Sequence, residues 1–115
     1  TPTATATEGP DPTVTVPGLE FDPLRLSVDP GATVAWVNQS GTHDVTSAQF
    51  HEKAVEWSFQ SQTFSSGERV SYTFESEGVY EYFCSIHGRD TMSGAILVGD
   101  VTLDETLPSE SSGRY

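Results

Sequence analysis

The sequence is poor in sulfur, in basic side chains and in long apolar runs. Its 115 residues include one cysteine, one methionine, and five lysines and arginines together. A single cysteine excludes an intrachain disulfide, so the folded state depends on the core and on any bound ion. No run of 18 or more apolar residues occurs, so we expect no membrane-spanning helix, and no signal peptide within this chain.

Acidic residues far outnumber the basic ones. Seventeen aspartates and glutamates give a formal net charge of -12. This charge repels nucleic acid phosphates, so we expect no nucleic acid partner. The acids are scattered rather than grouped, which favours a surface adapted to high salt over an acidic face that steers a cationic partner.

Composition divides the chain into three parts. Residues 1–13, TPTATATEGPDPT, are rich in threonine and proline and are predicted to form a flexible linker. Residues 102–115 form a polar C-terminal tail, and residues 14–101 form one domain with a modest core. Within this domain, short apolar runs separated by Gly, Pro, Ser and Asp predict an all-β sandwich.

Individual strands follow from alternating apolar and polar residues. The stretch LRLSVDPGATVAWVN predicts a hairpin-like pair of strands around the turn Asp29-Pro30-Gly31, and RVSYTFESEGVYEYFC predicts a second pair. GAILVGD reads as a last buried strand. Residues 48–64 carry both a helical and a strand pattern, and we favour a short edge strand there. We expect Trp36 and Trp57 to pack in the core.

The stretch YEYFCSIHGRDTM combines the single cysteine and the single methionine with a histidine. Cys84 ends a predicted strand, His87 follows after two residues, and Met92 lies five residues beyond His87. Metal bonds to sulfur and imidazole are only about 2 Å long, so the loop must curl around an ion, and Gly88 helps it to do so. Thiolate and thioether suit copper, whereas structural zinc sites seldom use methionine.

A copper site of the electron-transfer kind requires a second imidazole, because it takes two histidines, one thiolate and a weak axial thioether. The remaining candidates are His43 and His51. We choose His43, which lies just past the Trp36 strand at the start of the next short one. His51 stands among polar residues and is predicted to be a surface histidine.

At this point the chain resembles the cupredoxins, or blue copper proteins, in particular the plastocyanin and halocyanin group. The resemblance covers Gly18 to Val98 and rests on GLEFDP, VDPGATVAWVN, His43, SYTFESEGVYEYFC, and the run Cys-x-x-His-x-x-x-x-Met followed by SGAILV. It implies a Greek-key β-sandwich with short edge elements, holding one type 1 copper ion. His43, Cys84 and His87 would be equatorial ligands and Met92 the axial one.

The resemblance also implies an activity and a setting. The protein would be a non-enzymatic, monomeric one-electron carrier between redox proteins of a respiratory or photosynthetic chain, with an exposed edge of His87 as the exit for the electron. Acidity and resemblance together indicate an archaeal halophile's extracytoplasmic face, with membrane tethering through a region before residue 1. A copper delivery or storage module is the alternative, and a Cys-His hydrolase with Cys84 as nucleophile ranks last.

Three positions depart from the family pattern. Asp44 stands where an asparagine is usual, and we expect it to accept a hydrogen bond from Ser85 and to lower the reduction potential. Ile86 occupies a position where plastocyanins often have proline. Arg89-Asp90 places charge in a loop that often contributes to an apolar docking patch, so the resemblance leaves the mode of docking open.

Overall fold

The computed structural model describes residues 12–103 and 106–111, so most of the predicted linker lies outside the described residues. The described chain contains seven strands and one four-residue helix, which confirms the all-β prediction. No helix in this part of the chain is long and apolar enough to cross a membrane. The elements are β1 (Thr13–Val16), β2 (Arg25–Val28), β3 (Ala32–Asn38), β4 (Thr46–Ala48), β5 (Arg69–Phe74), β6 (Gly78–Phe83), β7 (Ser93–Val98) and α1 (Pro108–Ser111).

The strands form two sheets that pack face to face. One sheet has the order β1-β3-β5 and the other β2-β7-β6-β4. The pairs β1-β3 and β2-β7 are parallel, and the remaining pairs are antiparallel. Parallel neighbours cannot be joined by a tight turn, so the chain passes repeatedly from one sheet to the other. This arrangement is the sandwich expected from the sequence.

The main core lies between the sheets and follows the alternation of the strands. Along β6, Tyr80 and Tyr82 point into the core with Cys84, whereas Val79 belongs to a separate cluster on the outer face of the sheet. Trp36 is fully buried and its ring lies 5.3 Å from that of Tyr82, edge to face. The core position predicted for Trp36 is confirmed, and Trp57 packs against the core while remaining partly exposed.

A second, smaller cluster covers the outer face of the four-stranded sheet. Leu103 and Leu107 are buried there, although they lie within the segment read as a polar tail. The domain bounds 14–101 stay a prediction. The buried members of the cluster are Ala54, Val79, Ala95, Leu97, Leu103 and Leu107.

Both predicted hairpins are wrong. β2 and β3 lie in different sheets, and so do β5 and β6. The turn at Asp29-Pro30-Gly31 and the turn before Gly78 therefore carry the chain across the core. A hairpin within one sheet and a connection between two facing sheets give the same sequence pattern. In both, each strand buries one face, and turn residues separate the two strands.

The edge strand predicted within residues 48–64 is also wrong for most of that range. The edge strand of the four-stranded sheet is β4, which ends at Ala48, and the following chain makes only isolated bridges at Ala54, Gln60 and Phe64. Val55, Trp57 and Phe59 do alternate with exposed residues and pack against the core. The strand-like pattern is therefore real, but it reflects a segment lying across the core without a continuous partner strand.

Tyr82 has a fully buried hydroxyl without a hydrogen-bond partner, and burial raises the pKa of its phenol. The free energy of unfolding is therefore independent of this phenol below about pH 10, where the phenol is protonated in both the folded and the unfolded chain. Above that pH the unfolded phenol ionises and the buried one does not, so the free energy of unfolding falls by about 1.4 kcal/mol per pH unit. Tyr82→Phe should reduce this alkaline slope and leave stability at pH 7 unchanged or higher. Burial and the neighbouring Tyr72 also raise the pKa of Tyr80, so Tyr80→Phe is the matched comparison. Urea unfolding at pH 7 to 11 measures the slopes, and equal slopes in wild type and Tyr82→Phe would contradict the prediction.

Candidate metal centre

Two loops at one end of the sandwich bring together three of the predicted ligands. One donor atom from each of His43, Cys84 and His87 lies within 4.8 Å of the others. The Cys84 Sγ is 3.9 Å from His43 Nδ1 and 3.4 Å from His87 Nδ1. His43 and Cys84 are buried, whereas His87 is partly exposed. The structure thus places a cysteine sulfur and two imidazoles around one point near the surface.

The spacing of these atoms fits a first-row metal ion. With metal–sulfur and metal–nitrogen bonds of about 2.3 and 2.0–2.1 Å, trigonal or tetrahedral angles place sulfur and nitrogen about 3.5–3.8 Å apart. The two observed distances lie on either side of this range. A set of two imidazoles and one thiolate is the equatorial set of an electron-transfer copper site.

His43 is held in the orientation that such a site requires. Its backbone forms a two-way bridge with Phe64, with N–O distances of 3.1 and 2.9 Å. Its Nε2 lies 2.7 Å from the Ser40 carbonyl oxygen. A carbonyl only accepts, so Nε2 carries the hydrogen and Nδ1 keeps the lone pair that faces Cys84. Such hydrogen bonds to the second ring nitrogen orient metal-binding histidines.

The loop from Cys84 to Met92 closes on itself. The Cys84 amide donates a hydrogen bond to the Met92 carbonyl at 3.2 Å. Within the loop, the Gly88 amide donates to the Cys84 carbonyl, and the Met92 amide donates to the Gly88 carbonyl. Gly88 has a φ of 91°, which confirms its expected part in the curl. Met92 is fully buried in the same core cluster as Cys84.

Asn38 is a supporting residue that the sequence reasoning did not assign. Its buried side-chain amide donates to the carbonyls of Gly41 and Phe64 at 2.7 and 2.9 Å and accepts from the Ser40 amide at 2.9 Å. It therefore clamps the loop that carries His43. Its position at the last residue of β3 is the only signal in the sequence.

Asp44 makes the contact predicted for it. Its carboxylate is buried and accepts from the Ser85 amide at 2.7 Å and from the Ser85 hydroxyl at 2.5 Å. The Thr46 hydroxyl donates to it more weakly, at 3.4 Å. Asp44 thus joins the His43 loop to the Cys84 loop.

His51 is only partly exposed, and it has a buried partner that a simple surface position does not predict. Only 19% of its side chain is exposed, and its Nδ1 lies 2.5 Å from the fully buried carboxylate of Glu81. The polar neighbours of His51 in the sequence gave no sign of this pair, because Glu81 lies 30 residues further along the chain. His51 is also absent from the ligand group, in agreement with the choice of His43.

Gly41 offers a test of how closely the His43 ring is held. It has a φ of 86°, and a Cβ there would lie 3.1 Å from His43 Nε2. We expect Gly41→Ala to displace the ring and weaken copper binding by about 10- to 100-fold, as loss of an orienting contact does. Gly31→Ala is the matched control, because Gly31 has a φ of 94° and nothing within 4 Å. Competition with a copper chelator measures both, and equal affinities would contradict the prediction.

A β-sandwich with a thiolate and two imidazoles at one end defines the class of mononuclear copper–thiolate proteins. Residues 12–99 match the family described as copper binding proteins of the plastocyanin/azurin type, and the chain belongs to this family. The resemblance seen in the sequence and the expected copper cofactor are thereby confirmed.

Individual relatives agree with the family. The chain is 36% identical over 84 residues to a halocyanin from Natronomonas pharaonis, covering 70% of this chain and 49% of the relative. It is 33% identical over 88 residues to a plastocyanin from Scenedesmus fuscus, covering 70% and 87%. Among solved structures, a purple cupredoxin from Nitrosopumilus maritimus matches with a TM-score of 0.67 and 31% identity, covering 77% of this chain and all of that one. The aligned region spans about half of the halocyanin.

Proposed function

We propose that the protein is a blue copper electron carrier that passes single electrons between larger redox proteins. The observation that carries the proposal is the convergence of His43, Cys84 and His87, with Sγ–Nδ1 distances of 3.9 and 3.4 Å. A bound copper ion supplies the one-electron Cu(I)/Cu(II) couple. The residues hold the ligand atoms in place from two loops joined by Asp44 and Ser85, so little rearrangement accompanies the change of charge.

Met92 would complete the ligand set and would supply a thioether sulfur to the copper ion. It is buried with Cys84, and the bond between the Cys84 amide and the Met92 carbonyl keeps the two residues adjacent. With Met92 as a fourth protein ligand, the site would have no open position for a substrate, unlike catalytic metal sites. This supports a carrier without enzyme activity.

His87 is the proposed exit for the electron, because it is partly exposed whereas His43 and Cys84 are buried. Ile86 beside it is one of the two large apolar side chains exposed in the described part of the chain. Partners are redox proteins of a respiratory or photosynthetic chain. We place the protein on the extracytoplasmic face of a halophile, in keeping with its charge of -12. It would act there as a monomer, tethered to the membrane through a region preceding residue 1.

Visible absorption and electron spin resonance of the copper(II) protein test the proposal. A carrier gives an intense blue colour and an unusually small copper hyperfine splitting, bleached by ascorbate and restored by an oxidant. His43→Ala should abolish the colour, whereas His51→Gln should retain it. A pale complex that is not reversibly reduced and reoxidised would refute the carrier function.

Copper delivery, the alternative function, requires rapid transfer of copper to a chelating partner, whereas a carrier keeps its ion through repeated redox cycles.

Asp44→Asn tests the electrostatic contribution of the buried carboxylate. A negative charge near copper favours the oxidised form, so its removal should raise the reduction potential, on the order of 60 mV or tenfold in the electron equilibrium. Asparagine can still accept from the Ser85 amide, so the two loops stay joined. Voltammetry of the two proteins measures the difference, with Glu68→Gln, an exposed charge change, as control. Identical potentials would show that Asp44 does not tune the site.

A further inference from the structure

The chain beyond the family match, which ends at residue 99, packs on the outer face of the four-stranded sheet. Leu103 and Leu107 are buried there in one cluster with apolar side chains of β6 and β7. The Arg25 side chain on β2 donates to the Leu103 carbonyl at 3.0 Å. We call residues 101–103 and 106–109 the C-terminal segment. It is held against the sheet by apolar packing and by hydrogen bonds to the strands.

The far end of the C-terminal segment meets the first residue of β7 through a pair of buried hydroxyls. Ser93 and Ser109 are 0% and 1% exposed. The Ser93 hydroxyl donates to the Ser109 hydroxyl at 2.9 Å and accepts from the Ser109 amide at 3.1 Å. The Ser109 hydroxyl donates more weakly to the Ser93 carbonyl, at 3.5 Å. Buried hydroxyls are costly unless they are hydrogen-bonded, so this contact fixes the two residues relative to each other.

Ser93 lies beside both ends of the ligand loop. It directly follows Met92, and in the sheet it is paired with Phe83, the residue before Cys84. The Cys84 amide donates to the Met92 carbonyl at 3.2 Å. Successive side chains of a strand point to opposite faces. Ser93 therefore meets the C-terminal segment on the outer face of the sheet, whereas Met92 is buried in the core with Cys84.

Different side chains hold the two ends of this loop. At its beginning, the Ser85 hydroxyl donates to the Asp44 carboxylate at 2.5 Å. At its end, the Ser93 hydroxyl makes the corresponding contact with Ser109. The thioether of Met92 is only a weak hydrogen-bond acceptor, so its position depends on packing and on the backbone that follows it. That backbone is anchored where Ser93 meets the C-terminal segment.

We infer that Ser109 is a positioning residue for the ligand loop, an inference that rests on the proposed carrier function. Ser109 anchors Ser93 and thereby fixes the end of the loop that would supply the axial thioether of Met92. The axial ligand tunes the reduction potential of a copper–thiolate site. Donation from sulfur stabilises copper(II), which has the higher charge, more than copper(I). A thioether that is held less firmly therefore favours the reduced form.

Hydrogen exchange in the metal-free protein, followed by NMR, tests the anchoring without any redox activity. Ser109→Ala loses the hydroxyl contact but keeps the amide that donates to Ser93. The Cys84 amide should exchange about five- to tenfold faster than in wild type, the factor that loss of one buried hydrogen bond represents. The amides of β3, in the other sheet, should exchange no faster. An unchanged Cys84 amide, or equal acceleration in both sheets, would overturn the anchoring.

Voltammetry of the copper protein tests the effect on the site. Ser109→Ala should favour reduction by about two- to tenfold over wild type, since the lost hydrogen bond limits the size of the shift. Ser93→Ala breaks the same contact from the other side and should shift the equilibrium in the same direction. The double variant should show little further change, because residues that act through one contact are not additive.

Val28→Ala is the control for a general loss of stability. Val28 is a buried core residue of β2, paired with Val98 at the end of β7 away from Ser93, so this variant should leave the potential unchanged. A potential unaffected in both serine variants, or shifted equally in Val28→Ala, would overturn the positioning role and leave the carrier function standing. Absence of a reversible one-electron couple in wild type would instead refute the carrier, and hydrogen exchange would still decide whether Ser109 anchors the loop.

Discussion

Cys84→Ser is expected to eliminate the intense blue absorption, lowering it at least a hundredfold at equal copper loading. The colour depends on a thiolate bound to copper(II), and a serine hydroxyl does not ionise at neutral pH to take its place. Cys84 is fully buried, so the new hydroxyl costs about 1–3 kcal/mol if it finds no partner. Cys84→Ala, which introduces no hydroxyl, should lose the colour equally.

Met92→Leu is the matched control for the cysteine variants, because it keeps volume and removes only the thioether. It should stay blue, with a changed reduction potential, since the axial ligand tunes the potential without forming the thiolate bond. Absorption, circular dichroism and voltammetry of the four proteins measure these effects. A blue Cys84→Ala protein would refute the assignment of Cys84, and an unchanged potential in Met92→Leu would refute the axial ligand.

Asn38→Ala is expected to damage both stability and metal binding. The substitution removes three hydrogen bonds that clamp the His43 loop and leaves the Phe64 carbonyl without its buried side-chain donor. At about 1 kcal/mol for each bond, the free energy of unfolding should fall by about 3 kcal/mol. Copper affinity should fall about 10- to 100-fold, because the loop no longer holds the ring against the Ser40 carbonyl.

A residue on the same strand provides the control for Asn38. Thr33→Ala removes one exposed side-chain bond, to Thr73, and should cost well under 1 kcal/mol, with no change in copper affinity. Urea unfolding of the metal-free proteins gives the stabilities, and chelator competition gives the affinities. If Asn38→Ala bound copper as tightly as Thr33→Ala, the clamp would not support the ligand site.

The ligand loop was predictable because its information is local. Cys84, His87 and Met92 lie within nine residues, and their chemistry is unusual in a chain with one cysteine and one methionine. The choice of His43 needed one further step, the number of imidazoles that copper requires. The structure brings His43, Cys84 and His87 together, while the axial role of Met92 stays a prediction.

The pairing of strands that lie far apart in the chain was harder to predict from the sequence. Alternation located the strands around Trp36 and Tyr72 but assigned them wrong partners, because a neighbour in a sheet and a neighbour across the core bury the same side of a strand. The edge strand predicted within residues 48–64 was wrong for the same reason. Its alternating residues contact the core, but the ladder that defines a strand depends on a partner that the local sequence does not identify.

The sequence by itself determined the all-β class, the family and the metal chemistry, because strand periodicity and a compact set of soft ligands are local properties. Only the tertiary structure decided which strands share a sheet, that Asn38 clamps the His43 loop, and that His51 rests on Glu81. The contacts of Asn38 and His51 join residues up to 30 positions apart, and the paired strands β2 and β7 lie further apart still. A buried hydrogen bond depends on where two segments meet in space, and neither segment alone carries that information.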